Sequence, residues 1–256
     1  MSDFVHANSI VRRIWGKSDT ILFVFAGAAA EFSLNKAVDW LYFTGKLPTD
    51  PLGRLFSTVQ YARMIVFSTE TDANKAIDSM RSIHTAVEQS RGGAIPDWAY
   101  RDVLFMLIYY SIAAFELLER PLSSAEKEEV HNVFFRVGLR MGLTDLPLTY
   151  KSWLPVRDHH LRQDLTYSKY TPDLYSQYRK HLGRFRFKLL VEAQKLLIPD
   201  LVRRLLGFHR FSLLRPTVPL YKFSRKLKLD GLVKRLLLPP KYRRQILALD
   251  NFSKRA

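Results

Sequence analysis

Two stretches decide what this chain can become: ILFVFAGAAA at 21–30 and VLFMLIYYSIAAF at 103–115. Neither carries a charge, and both fall well short of the ~20 residues needed to span a bilayer. A helix that is apolar on every side has to be surrounded by protein. The fold is therefore expected to grow around these two segments as buried central helices. Apolar residues recur at helical spacing along nearly all the rest of the chain. There is no alternating strand pattern and no Asn-Gly hairpin. The expectation is an all-α, multi-helix bundle.

The punctuation is legible. The loop TGKLPTDPLG (44–53) ends in Asp50-Pro51, an N-cap followed by proline at the first helical position, and a helix can run from there to about Phe67. Thr71 or Asp72 is expected to start the next helix, which Gly92 and Gly93 terminate. Pro96-Asp97 opens a long apolar helix to about Arg120. Ser123-x-x-Glu126 has capping-box spacing. Further helices are expected from Tyr150 to Asp164 and from about Thr171-Pro172-Asp173.

SMRSIHTAVEQ (79–89) raises the first chemical question. At about 100° per residue, Ile77, Met80, His84 and Val87 share one face, flanked by Ala76 and Ile83. Ser79 and Ser82 lie nearly opposite. The His84 imidazole thus points to the apolar side, where an uncompensated polar group costs roughly 1–3 kcal/mol. It needs a partner, which is either an ordinary hydrogen-bonding group or a metal or haem iron. On the preceding helix Arg54, Thr58, Tyr61 and Ile65 form one stripe beside the apolar stripe Leu55, Val59, Ala62 and Val66. Arg54 stands near a helix N-terminus, where the dipole disfavours a cation. A carboxylate side chain or a cofactor carboxylate such as a haem propionate would offset this.

These features together carry a resemblance. Arg54-x-x-x-Thr58 just after an Asp-Pro loop, within DPLGRLFSTVQYARMIVF, is followed one helix later by AIDSMRSIHTAVE. The next block, DVLFMLIYYSIAAFELLERPLSSAEKEEVHNVFFRVGLRMGLTDLPLT, has the look of a helix pair ending before a Leu-Pro loop. The order and spacing of these blocks over residues 20–190 resemble the MpaB-type and latex-clearing (rubber) oxygenase family. The resemblance implies a globin-like helical body around haem b, with His84 as axial iron ligand and Arg54 and Thr58 near the haem. Tyr61 and Met80, on the same stripes, become cofactor contacts. It also implies O₂ and an apolar, prenyl-chain-like small molecule as the reactants.

The chain departs from that pattern in three places. A polar, His-containing segment of many relatives is replaced by AAAEFSLNKAVDWLYF, where Glu31 and Asp39 are the only carboxylates available as an active-site base. Ser57 stands where rubber-cleaving relatives can place a lysine, so a lysine iron ligand is unavailable there. The start of the chain lacks an apolar signal region, which points to a cytoplasmic location and to a substrate smaller than polyisoprene.

Other motifs are weaker. His131 lies beside two glutamates and reads as a satisfied histidine, or else as a second haem-side group. His159 and His160 are adjacent, so they point about 100° apart and cannot form an i, i+4 metal pair with each other. Asp158 and Asp164 do not complete a HExxH pattern. Phosphate-cradling glycine motifs and a GxSxG elbow are absent. The chain has no cysteine, which excludes disulfides, thiolate metal sites and thiol catalysis.

Charge is distributed unevenly. Of 40 Lys/Arg and 24 Asp/Glu, residues 179–256 hold 21 and 4, so the formal charge is −1 before residue 179 and +17 after it. The expected organisation is a helical oxygenase-like body over 1–190 and a basic amphipathic extension over 191–256, packed on the body. Leucines interleaved with Lys and Arg suit peripheral attachment to an anionic membrane surface through residues 179–256. No nucleic-acid-binding module is recognisable. The reading is a haem b oxygenase of an unsaturated apolar substrate. Its alternatives are a haem protein that senses or stores, and a non-catalytic helical membrane-associated binding protein.

Overall fold

A computed structural model describes residues 2–45 and 49–226. The part of the basic extension beyond residue 226 lies outside the described residues. Among those described, eleven helices account for the regular structure: α1 (Ile10–Trp15), α2 (Ser18–Phe32), α3 (Val38–Phe43), α4 (Pro51–Val66), α5 (Glu70–Arg91), α6 (Asp97–Leu118), α7 (Ser124–Met141), α8 (Tyr150–Asp164), α9 (Tyr170–Leu197), α10 (Asp200–Leu205) and α11 (Thr217–Lys226). The only strand-like pairings in this part of the chain are isolated bridges, Asp3 with Thr69 and Asn35 with Leu165. The all-α expectation holds.

The two uncharged stretches become α2 and α6, and they pack along each other more extensively than any other helix pair. Around them Trp15, Phe105, Tyr110, Phe115 and Trp153 are fully buried in one core. Close approach of the two central helices depends on Gly27. A methyl group there would overlap the Tyr110 ring, which has no exposure to yield into. Gly27→Ala is therefore expected to destabilise the protein by about 1–3 kcal/mol from overpacking, against alanine's helix preference of about 1 kcal/mol. A denaturant titration that finds the variant as stable as wild type would show that the helices can separate freely.

The helix ends follow their sequence signals. Asp50 accepts from the Gly53 N–H at 3.0 Å with Pro51 in the first turn, and Ser123 and Glu126 form the expected capping box. Gly92 closes α5 in the left-handed region at φ 72°. One start differs: α5 begins at Glu70 with Thr69 as N-cap, rather than at Thr71 or Asp72, because the Thr69 hydroxyl accepts from the Asp72 N–H. The N-terminal segment reinforces this turn, with the Phe4 N–H donating to Ser68 and the Glu70 N–H to the Ser2 carbonyl. On α5, Ile77 is buried as expected. Ile83, expected at the flank of the apolar face, is 44% exposed, because it sits past the edge of the packed stripe.

Helix α9 contains a break at Gly183 (φ 74°, ψ 166°), a conformation that favours glycine. The helix then continues across residue 190, and Leu197, Ile198 and Val202 beyond it join the main core.

Candidate functional site

The α4–α5 hairpin sets the register of the site. Measured from the turn between them, Arg54 lies about 18 Å back along α4 and His84 about 21 Å forward along α5, at 1.5 Å per residue. The hairpin therefore brings the two side chains to the same level at its open end. They interact there. Burial lowers the His84 pKa, and the Arg54 charge lowers it further, against a smaller opposing pull from Glu88. The ring is held neutral, the form that offers a lone pair.

The surroundings of His84 are specific. Its ring meets Tyr100 edge to face, with centroids 5.2 Å apart at 68°. The Tyr100 hydroxyl donates to Glu88 Oε1 at 3.1 Å, and the Ile95 N–H donates to the same oxygen at 2.9 Å. Glu88 thus ties the loop after α5 to the ring wall beside His84. Nδ1 of His84 is buried and has no hydrogen-bond partner among the described residues. Arg54 is mostly desolvated, which lowers its pKa; Tyr61 is the neighbour that opposes this. Among the described residues no carboxylate pairs with Arg54.

A buried ring nitrogen without a partner thus lies near a half-buried cation that no described carboxylate neutralises. Each deficit costs on the order of 1–3 kcal/mol, more for the charge. A ligand that completes this arrangement must offer an electron-pair acceptor to the ring and an anion to the guanidinium. Haem b would offer both, through its iron and its propionates.

The remaining expected residues are placed as follows. Thr58 is half-buried, and its hydroxyl donates to the Arg54 carbonyl at 3.2 Å, leaving its oxygen free to accept. Tyr61 is half-buried beside Arg54. Met80, one turn before His84, packs against the main core. Asp39 pairs with Arg91 at 2.7 Å, and the Arg91 guanidinium lies 3.9 Å above the Trp40 ring. Arg91 is two turns beyond His84 on the same helix stripe, so Asp39 sits at the rim of this region. Glu31 is elsewhere, bound to Arg157 at 2.5 Å and to the Tyr110 hydroxyl at 2.9 Å in the buried interior. His131 is buried, stacked on Phe135 and 3.9 Å from Glu128.

His159 and His160 form no metal pair with each other, as expected, but His160 has partners that the spacing did not show. Its Nδ1 lies 2.7 Å from Asp102 and 3.1 Å from Asp164, and Asn35 donates to the other Asp102 oxygen at 2.6 Å. Spacing along α8 alone shows only the i, i+4 relation to Asp164. Asp102 comes from α6, so the cluster is invisible until the helices pack. Burial, and then the Asp102 charge, hold the Asp164 carboxyl above its usual pKa. Asp102, His160 and Asp164 offer ligand atoms within 4.8 Å of one another. Two surface clefts, of about 550 and 310 Å³, lie elsewhere, one beside Phe4 and Arg136 and the other beside Leu196 and Pro219.

The Arg54–His84 relation is testable without any ligand. A histidine depressed in the folded state gives stability that is complete above about 6.5 and lost as pH falls toward the lowered value. Arg54→Leu is expected to raise the His84 pKa and flatten that slope, as read by an NMR titration of the ring. An unchanged titration would mean that the guanidinium does not face the imidazole.

The family described as "ER-bound oxygenase mpaB/B'/Rubber oxygenase, catalytic domain" has a model that matches residues 12–246. No curated protein and no solved structure gives a significant match.

Proposed function

The chain belongs to the ER-bound oxygenase mpaB/B'/rubber oxygenase catalytic-domain family, and from that premise we propose that it is a haem b-dependent oxygenase with His84 as axial ligand. The family assigns an oxygenase catalytic domain. Haem dependence, the ligand and the substrate are the further steps proposed here. The observation that carries them is the buried, unpartnered Nδ1 of a neutral His84 beside an uncompensated Arg54.

When bound, haem b supplies the activation of O₂. The protein's own part is binding, orientation and exclusion of water. His84 holds the group through a lone pair that its depressed pKa keeps available. Arg54 would receive a propionate and orient the group, with Tyr61 beside it and the Thr58 oxygen available as an acceptor one turn on. Tyr100, braced by Glu88, limits rotation of the imidazole. Met80, packed against the main core one turn before His84, would supply an apolar contact to the bound group. Of the two candidate carboxylates, Asp39 would be the proton acceptor, since it is half-buried at the rim beside Arg91, whereas Glu31 is enclosed in the interior with Arg157 and Tyr110. Glu31 has both of its buried partners within the core and serves the fold.

The substrate class is an unsaturated apolar chain of isoprenoid or lipid type, smaller than polyisoprene. The absorption spectrum of the purified protein supplied with haem b tests the cofactor, with a Soret band expected. Oxygen uptake with unsaturated prenyl lipids tests the activity. A colourless protein would rule the reading out, and a coloured protein without uptake would favour sensing or storage.

A further inference from the structure

We infer that the face formed by the second half of α9, the loop 206–216 and α11 is a membrane-insertion surface for anionic phospholipid. Five large apolar side chains stand exposed there: Phe185 at 64%, Phe211 at 77%, Leu213 at 79%, Leu220 at 69% and Phe223 at 57%. Side chains of this size at such exposure, gathered in one region, mark an interaction site rather than ordinary surface.

Local geometry brings them together. Beyond the Gly183 break, Phe185 and Glu192 lie seven residues apart, on one stripe of α9. Glu192 anchors the loop, since its carbonyl accepts from the Ser212 hydroxyl at 2.8 Å and its carboxylate accepts from the Leu213 N–H at 2.6 Å. Leu213 is thereby held against α9, about two turns beyond Phe185 along the same stripe. A groove lined by Leu117, Leu196, Arg210, Arg215, Val218 and Pro219 joins the end of α9, the loop and the start of α11. On α11, Tyr221 and Arg225 turn inward, bonding Asp19 at 2.9 and 3.0 Å. Leu220 and Phe223, one turn apart, are left facing out.

Charge selects the occupant. Arg184, Lys188, Arg210, Arg215 and Lys222 are interleaved with the apolar side chains. Between residues 179 and 226 there are 13 basic residues and only two acidic ones, Glu192 and Asp200. Those two are already paired, with Lys195 and Arg203. Residues 227–256 carry eight Lys/Arg and two Asp/Glu, and a second copy of the chain presents the same basic face. Either would meet like charge. An anionic bilayer offers both requirements at once, phosphate and carboxylate head groups for the cations and acyl chains for the aromatics. Among the described residues no helix is long and apolar enough to cross a membrane, so the attachment is peripheral. This inference is independent of the haem assignment, which is read from the absorption spectrum.

The test is flotation of the full chain with vesicles of phosphatidylcholine alone or containing about 30 mol% phosphatidylserine. Wild type is expected to bind the anionic vesicles at least about tenfold more tightly, and to lose most of that advantage between about 0.1 and 0.5 M NaCl. The triple variant Phe185→Ser, Phe211→Ser, Leu213→Ser replaces only exposed side chains, and its circular dichroism should match wild type. It should bind the anionic vesicles at least about tenfold more weakly. In a separate variant, Leu213→Trp, brominated acyl chains should quench the indole. Absent wild-type binding, a triple variant that binds like wild type, or an unquenched Trp would each overturn the proposal. A wild-type dimer that the triple variant dissociates would assign the face to a second copy instead.

Discussion

Replacing His84 by alanine is expected to abolish the Soret band of the haem-supplied protein and to reduce oxygen uptake to background. Haem affinity should return in part when free imidazole is added, because the alanine leaves room for the ring. The thermodynamic signature of the haem-free protein is as informative as the spectrum. A histidine bonded to ordinary protein atoms would lose about 1–3 kcal/mol on truncation, since its partner would be stranded. His84 has a buried Nδ1 with nothing to strand. Its removal should therefore cost the haem-free protein only the Tyr100 ring contact, about 0.5–1.5 kcal/mol, while the haem-loaded protein also loses the increment that binding confers. A full-strength Soret band in the variant would place the iron on another residue. A loss of stability in the haem-free variant well beyond that of Tyr100→Leu, which removes the same ring contact, would show that the ring has a conventional hydrogen-bond partner.

Much of this arrangement was readable from the chain because the features involved are local. The Asp50-Pro51 and Ser123-x-x-Glu126 caps fix helix starts by bonds within one turn. The two uncharged stretches could only be central. Arg54 and His84 were brought together only through the family resemblance, and the α4–α5 hairpin then sets them at the same level. What stayed hidden depends on contacts between distant segments. Nothing in the spacing pairs Glu31 with Arg157, 126 residues away, and Glu31 therefore competed with Asp39 for a chemical role. The Asp102 partner of His160 is 58 residues away, so the adjacent histidines suggested only that they do not act together. The basic end was legible as charge. Its exposed aromatics were not, because the same leucine and phenylalanine spacing serves a buried face equally well.

The largest stability effect is expected at the Glu31–Arg157 pair. The side chains are 1% and 5% exposed, so each charge depends on the other. Burial is the strongest single influence against the Arg157 cation, yet the Glu31 charge and hydrogen bond, joined by Tyr110 and Asp102, together hold the guanidinium pKa above its usual value. Tyr110 donates to the same Glu31 oxygen, which ties α2, α6 and α8 together at one point. Glu31→Gln keeps the shape and removes the charge, leaving Arg157 ionised in the interior. The expected cost is about 3–5 kcal/mol, or a fall of roughly 6–20 °C in Tm for a chain of this size. Removing both charges, as Glu31→Leu with Arg157→Met, should cost far less, since no charge is then left unpaired. Thermal melts of wild type, Glu31→Leu, Arg157→Met and the double variant give the coupling directly. The same set separates a structural role from a catalytic one. If Asp39 is the proton acceptor, the double variant keeps its Soret band and its oxygen uptake wherever it remains folded. If Glu31 is the acceptor, that variant keeps the band and loses uptake. Should Glu31→Gln melt within about 1 kcal/mol of wild type, the pair is more solvated than its burial implies, and the interior where α2, α6 and α8 meet admits water.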